Sequence, residues 1–473
     1  MGLPLLRGQS VSSWFIHVHN CIPQEVSAGA FPSHFVGVPR GAVDSPFVVN
    51  GNGALRGLDH DGHVQYAIGQ PFPKDARSVV ICDDLVAAVN FELENDASYC
   101  DNFRLHILED WVTQAKRLAT SRVKEAAHAL PSIAMLVGGL HCPLVNFLVD
   151  KYDYDCKALP DRCRSGFQFA GDLDRCNVQC ILERPVKPPL TVDEVRADRR
   201  RSNAVVLSKL KQSEHSGDLM KSTLDDVAEG MMSAPVPVST LYLDEVSLTR
   251  RLAVREERAK GWRTRAVDHF TESWVNPATH PADKVTHDTV DVLVWILCQF
   301  LAMGALPQLW KRDIRKAFRK LPIAPSFHDL CWVVFMHEGI AWASCHYGMP
   351  FGSVSAVYAW HRMGGFVWWL IVKILKIPLA RYVDDFFGAS KEGISVTGGV
   401  AVSILSDLLG IPCDDDKSVD YASLMVVLGI QINIDFSRKL ITMVIQAAKA
   451  LAWRSLLESI LLEGCLDPGM AAK

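Results

Sequence analysis

The longest clean helical period in the chain runs from Ile107 to Leu130. There Leu108, Trp111, Val112, Ala115, Leu118, Ala119, Val123 and Ala126 fall on one face, and Pro131 stops the pattern. A second helix is expected from about Asp288 to Met303, and beyond it the texture becomes strand-like. Leu309 to Arg312 reads as the end of a strand that delivers Asp313. Farther along, Leu379 to Val383 runs straight into Asp384 and Asp385, and Phe386 to Ala389 leads away. Two apolar strands meeting at an acidic pair predict a tight β-hairpin with carboxylates at its tip. Alternation at Ile430, Ile432 and Ile434, a turn at Asp435 to Arg438 and a new run from Leu440 predict another hairpin. The longest apolar run, Phe366 to Ala380, is broken by Lys373, Lys376 and Pro378 and is shorter than the roughly 20 residues a bilayer requires. It is read as a buried helix passing into a strand, and no membrane role is expected.

Residues 1–183 mix Gly, Pro and short apolar runs and read as an α+β region whose chemistry is not legible. Pro185, Pro188 and Pro189 interrupt regular structure, and Thr191 with Glu194 then forms a capping-box pattern that opens a charged helical linker, 184–240. Arg196, Arg199, Arg200 and Arg201 on that linker read as a solvated face. The chemistry is concentrated in 241–443, and 444–473 is expected to add a C-terminal helix.

With 473 residues and 49% hydrophobic composition the chain can bury two or three cores. A net charge of −4 does not advertise nucleic-acid binding, so any such site must be a local basic surface. The candidate is Arg250, Arg251, Arg255, Arg258, Lys260, Arg263 and Arg265. Thirteen cysteines lack the dense, even spacing of a secreted framework, and Met1 to Arg7 opens no signal peptide, so an intracellular, reducing setting is expected, with nucleus against cytoplasm left open. Cys156, Cys163, Cys176 and Cys180, near His141 and Cys142, lack paired Cys-x-x-Cys spacing and read as unpaired thiols rather than zinc ligands. His17 and His19 would share one strand face. No Ser-His-Asp order, P-loop or dinucleotide fingerprint is present.

Neighbouring desolvated acids repel unless a cation neutralises them. Asp313, Asp384 and Asp385, without nearby His or Cys, favour a hard ion such as Mg²⁺, with Mn²⁺ as a substitute. Two such ions can activate a hydroxyl and stabilise the leaving oxygen of a phosphoryl displacement.

The order of motifs resembles the reverse transcriptase family. Asp313-Ile-Arg-Lys-Ala-Phe318 is similar to its first palm motif, Met349-Pro-Phe-Gly352-Ser-Val-Ser to the second and Arg381-Tyr382-Val383-Asp384-Asp385 to the third. Gly410-Ile-Pro-Cys-Asp-Asp-Asp-Lys417 and Leu428-Gly429-Ile430 are similar to the fourth and fifth. The resemblance implies an α/β (α+β) fold, with right-hand fingers and a ferredoxin-like antiparallel palm sheet. It implies two Mg²⁺ ions on Asp313, Asp384 and Asp385, and template-directed DNA synthesis on an RNA template with a DNA primer and dNTPs. Phe318 would select deoxynucleotides, Gly352 would let backbone approach the nucleotide, and Lys417 would protonate the leaving pyrophosphate. Arg263 and Arg265, within Gly261-Trp-Arg-Thr-Arg-Ala-Val-Asp268, would clasp template and triphosphate, and Tyr382 would lie at the nucleotide site. Departures are Lys316, where many viral members carry an acid, and Phe351, where they carry Gln. The Pro350-Phe351-Gly352 form is more similar to retrotransposon enzymes, and residues 444–473, too few for a complete thumb plus an RNase H domain, read as the end of a truncated or decayed element. The rival readings are a decayed nucleic-acid-binding remnant and an RNA-directed RNA polymerase.

Overall fold

The computed structural model describes residues 15–19, 47–49, 55–57, 81–175, 180–182, 190–258, 261–438 and 440–463. The chain divides into two compact units. One comprises Asp83–Thr289 with Pro307–Tyr421, and the other Met1–Cys82, Val290–Leu306 and Ala422–Lys473.

The first unit opens with helices α1 (Asp83–Glu94) and α2 (Ala97–His128). The α2 helix begins ten residues before the apolar period that announced it, where the Asp96 side chain accepts from the Tyr99 N–H at 2.8 Å. Its buried stripe is Cys100, Arg104, Leu108, Trp111 and Ala115, and the arginine in that stripe is what hid the first turns from a hydrophobic pattern. Arg104 pairs with Glu92 at 2.7 Å with both side chains fully buried. It also donates to the carbonyls of Leu375, Lys376 and Val396. A buried ion pair survives only when its remaining donors and acceptors are satisfied, and here the C-terminal half of the chain satisfies them. These helices and the carboxylate-bearing strands lie in one compact unit.

Helix α3 (Ser216–Ala228) precedes the antiparallel hairpin of β1 (Leu248–Arg258) and β2 (Gly261–Asp268). After β3 (Pro307–Asp313) come β4 (Trp332–His337) and β5 (Ile340–Cys345). These complete a five-stranded sheet in the order Val236–Pro237, β5, β4, β1, β2, in which β4 and β1 run parallel. The capping box at Thr191 and Glu194 is formed and opens the short helix Val192–Ala197.

The second sheet of this unit holds the acids. Helix α4 (Val354–Trp369) passes through a π-helical turn at Leu370–Ile374 into β6 (Leu379–Tyr382), as the long apolar run predicted. β7 (Asp385–Lys391), α5 (Gly398–Leu409) and β8 (Val419–Ala422) follow. The sheet order is β6-β7-β3-β8, with β7 antiparallel to both β6 and β3. Trp310, Phe386, Phe387, Val402 and Leu405 are fully buried in this part of the core. Arg312 fastens the outer strand, donating to both carboxylate oxygens of Asp420 at 2.8 and 2.7 Å.

In the other unit, β9 (Leu424–Val427), β10 (Ile430–Asp435) and β11 (Leu440–Ile445) form an antiparallel ladder, and the expected hairpin is β10–β11. The strand Phe15–His19 pairs parallel with β11, while the side chains of His17 and His19 lie outside the described residues. This unit also holds the helix Val290–Ala302 and α6 (Ala447–Glu463). Among the described residues no helix is long and apolar enough to cross a membrane.

Candidate active site

β3 and β7 are antiparallel neighbours whose register sets Asp313 directly opposite Asp385. Asp384 lies at the tip between β6 and β7, and its carbonyl accepts from the Ile314 N–H at 3.1 Å. The three carboxylates singled out from the sequence thus share one end of one sheet. Like charges opposite each other on a ladder repel. Burial first, then the charges of Asp313 and Asp385, push the Asp384 carboxyl up to about 6, and Lys417 offsets this only in part.

Two lysines answer the other two acids. Lys417, on the short 3₁₀ turn Asp415–Lys417, donates to Asp313 Oδ1 at 2.7 Å. Burial raises the Asp313 carboxyl and outweighs the lowering by Lys417. Burial lowers the Lys417 ammonium, but the hydrogen bond to Asp313 and the charges of Asp313, Asp414 and Asp384 together outweigh it, so the ammonium is held protonated. The turn is fixed by backbone bonds from Asp414 N to the Asp313 carbonyl and from Arg315 N to the Pro412 carbonyl. Lys311 Nζ approaches Asp385 Oδ1 to 2.9 Å, yet without hydrogen-bond alignment, so that buried oxygen accepts no hydrogen bond. Among the described residues no three His, Cys, Asp or Glu side chains are already gathered as a metal cage.

The hairpin tip is held under strain. Val383 sits at φ +53°, a left-handed conformation that is costly for a β-branched residue. Its carbonyl accepts two hydrogen bonds, from Trp360 Nε1 at 2.7 Å and from Arg381 Nη1 at 3.0 Å. Arg381 is fully buried and also donates to His361 Nδ1, and its backbone exchanges hydrogen bonds with Asp288. Gly364 makes room for this arrangement, because a Cβ there would lie 2.9 Å from Arg381 Nη1 and 3.1 Å from Trp360 Nε1. No acidic or hydrophobic pattern marks Trp360, His361 or Gly364, which is why sequence reasoning missed them.

Phe318, half-buried just past Asp313, meets Phe351 with ring centroids 5.3 Å apart, and the Arg265 guanidinium lies 5.8 Å above the Phe351 ring. The structure therefore brings Phe318, Phe351 and Arg265 together. Gly352, at φ +93°, is pressed against the end of β2, since a Cβ there would lie 2.3 Å from the Asp268 carbonyl oxygen. Its missing side chain thus serves a close approach to β2. Asn276 clasps this loop, donating to the Gly352 carbonyl and accepting from the Val354 N–H. Tyr382 is partly exposed, with its ring 5.3 Å from that of His287.

The basic segment does not form one exposed face. Arg251 is buried, 3.8 Å from Asp226 and 3.7 Å from Asp268, and Arg250 is paired with Glu272, so both depart from the expected nucleic-acid contact. β-strand alternation is the reason, since successive side chains point to opposite faces of the sheet. Arg255 stays at the surface, stacked at 4.6 Å over the exposed Trp262 ring. Lys260 and the side chains of Arg258 and Arg263 lie outside the described residues. Beneath the sheet, Arg319 donates to His346 Nδ1 at 2.8 Å and to Asp226, which leaves His346 Nε2–H to donate to Asp268. Burial holds the His346 imidazole neutral, down to about 4. Lys316 turns to Glu229 and Asp226 on and beside α3.

The N-terminal cysteines act as core thiols. Cys142, Cys156 and Cys163 are buried, and His141 is committed to the Leu144 N–H and the Ala115 carbonyl. Cys176 and the side chain of Cys180 lie outside the described residues. A cavity of about 620 Å³ lined by Glu125, Phe147, Lys151 and Arg164 contains none of Asp313, Asp384 and Asp385.

No family model matches this chain, and no curated protein matches it. Among solved structures, the foamy viral protease-reverse transcriptase in complex with dsDNA aligns at 14% identity with a TM-score of 0.35, covering 67% of this chain and 54% of that one. The same viral enzyme with an RNA/DNA hybrid aligns at 15% identity and a TM-score of 0.34, covering 67% of this chain and 35% of that one. The chain thus spans about half or less of these proteins. At such TM-scores the likeness carries no argument, and the functional reading rests on the residues.

Proposed function

We propose that this protein is an RNA-directed DNA polymerase of a retroelement, joining dNTPs to a primer 3′-hydroxyl on an RNA template. The observation that carries the reading is the register that sets Asp313 opposite Asp385, with Asp384 beside them on a strained tip. The donors are all carboxylate oxygens, one of them a buried oxygen that accepts no hydrogen bond, and burial, followed by the neighbouring acids, drives Asp384 upward. This chemistry fits hard divalent cations, and Asp313, Asp384 and Asp385 would hold two Mg²⁺ ions. When bound, the ions supply charge for activating the hydroxyl and stabilising the leaving oxygen. Lys417, firmly protonated, supplies a proton and positive charge at the phosphate side. The Phe318–Phe351 pair presents a rigid aromatic wall against a 2′-hydroxyl, and Arg265 beside it offers a planar fork to phosphate.

The test is Mg²⁺-dependent primer extension on RNA with dNTPs, comparing wild type with the double variant Asp384→Asn, Asp385→Asn of equal folding. Extension by wild type and its loss in the variant supports the polymerase. A second reading, nucleic-acid binding without catalysis, is favoured by the lysines on two of the three acids. Wild type that binds primer-template but extends nothing in Mg²⁺ or Mn²⁺ would establish that reading instead.

A further inference from the structure

Lys311 lies two residues before Asp313 on β3, so the strand's period of two places both on one face. The ladder sets Lys311 opposite Phe387 and Asp313 opposite Asp385, which makes Asp385 the diagonal neighbour of Lys311 on that same face. The ammonium stands 2.9 Å from Asp385 Oδ1, with the two side chains only 16% and 20% exposed. Lys417, by contrast, is 48% exposed and properly hydrogen-bonded to Asp313. The Lys311 contact is thus a charge contact in a partly dehydrated place, with the acceptor oxygen left unbonded.

From this juxtaposition we infer that Lys311 is the resident counter-ion of Asp385 and sets the divalent-cation threshold of the site: a cation takes Asp385 only by displacing the lysine ammonium. The inference rests on the proposed metal role of the carboxylates. Lys311 and Lys417 each answer one charge of the facing Asp313–Asp385 pair, whereas a single divalent ion can answer both. The lysine stem is flexible and its point charge has no fixed geometry to surrender, so it can swing toward water when the ion arrives. With the ion absent, Lys311 keeps the ladder from splitting at its acidic end.

The experiment measures Mn²⁺ binding to the full chain by electron paramagnetic resonance of the free ion, without nucleotide or nucleic acid. Lys311→Met is expected to bind Mn²⁺ about tenfold more tightly than wild type, equivalent to about 1.4 kcal/mol. Lys311→Arg, which keeps the cation and adds a fork, is expected to bind no more tightly than wild type. In an Asp385→Asn background the gain from Lys311→Met should shrink to about twofold or less, because the pairing partner has gone. Circular dichroism and urea unfolding establish that each variant is folded. Equal affinity in wild type and Lys311→Met overturns the inference and leaves the polymerase reading standing. A gain that persists undiminished in the Asp385→Asn background also overturns it, since the effect would then be a diffuse charge term. Absence of Mn²⁺ binding in both wild type and Lys311→Met overturns the inference and the metal role together.

Discussion

Asp384→Asn isolates the electrostatic cost of the acidic tip. In the folded protein this carboxyl is pushed up to about 6, by burial first and then by Asp313 and Asp385. An unfolded aspartate titrates near 3.9, so the difference is roughly two pH units, and at about 1.4 kcal/mol per unit the ionised side chain costs the fold roughly 3 kcal/mol at neutral pH. Because the folded-state pKa is raised, the folded protein binds the proton more tightly. The stability linked to that proton is fully present below pH ~4 and is lost as pH rises to ~6. Asparagine keeps the size and removes the charge. The variant should therefore match wild type near pH 4, diverge between pH 4 and 6, and exceed it by up to roughly 3 kcal/mol at pH 7.5. Urea unfolding at fixed pH values, followed by tryptophan fluorescence, reads this as a shift in midpoint without a change in slope. Added Mg²⁺ should stabilise wild type and leave the variant nearly unchanged. A variant no more stable than wild type at pH 7.5, or a difference independent of pH, would refute the argument that crowded acids strain this tip.

Three further expectations concern the scaffold. Trp360→Phe removes one of the two donors to the Val383 carbonyl and should cost about 1 kcal/mol in urea unfolding, with slower primer extension, because a neutral hydrogen bond nets about that much. Gly352→Ala places a Cβ 2.3 Å from the Asp268 carbonyl at a φ of +93°. It should destabilise by about 1 to 3 kcal/mol, checked by the same unfolding measurement. Arg104→Met strands the buried Glu92 carboxylate and should cost about 3 to 5 kcal/mol, while Arg104→Met with Glu92→Leu should recover much of it. Equal stability of the single and double variants would show that the pair is not what holds these helices to the sheet.

Local pattern determined a great deal. The strands ending at Asp313 and flanking Asp384, the capping box at Thr191, the Ile430 to Ile445 hairpin and the helix Val290–Ala302 were all legible, because periodicity, caps and turns act over a few residues. Three kinds of information were not legible, since each depends on groups far apart in sequence. Arg104 looked like a polar interruption until carbonyls from residues 375, 376 and 396 satisfied it. Arg250 and Arg251 looked like one basic surface until sheet alternation and the acids at Asp226, Asp268 and Glu272 absorbed them. Motif order named the three acids, but only ladder register decided that Asp313 faces Asp385 and that Lys311 reaches it diagonally. Sequence thus determined several local elements and singled out the three acids that those elements carry. Tertiary structure decided which charges meet, because the energy of a charge is set by its neighbours in space and by the water they exclude.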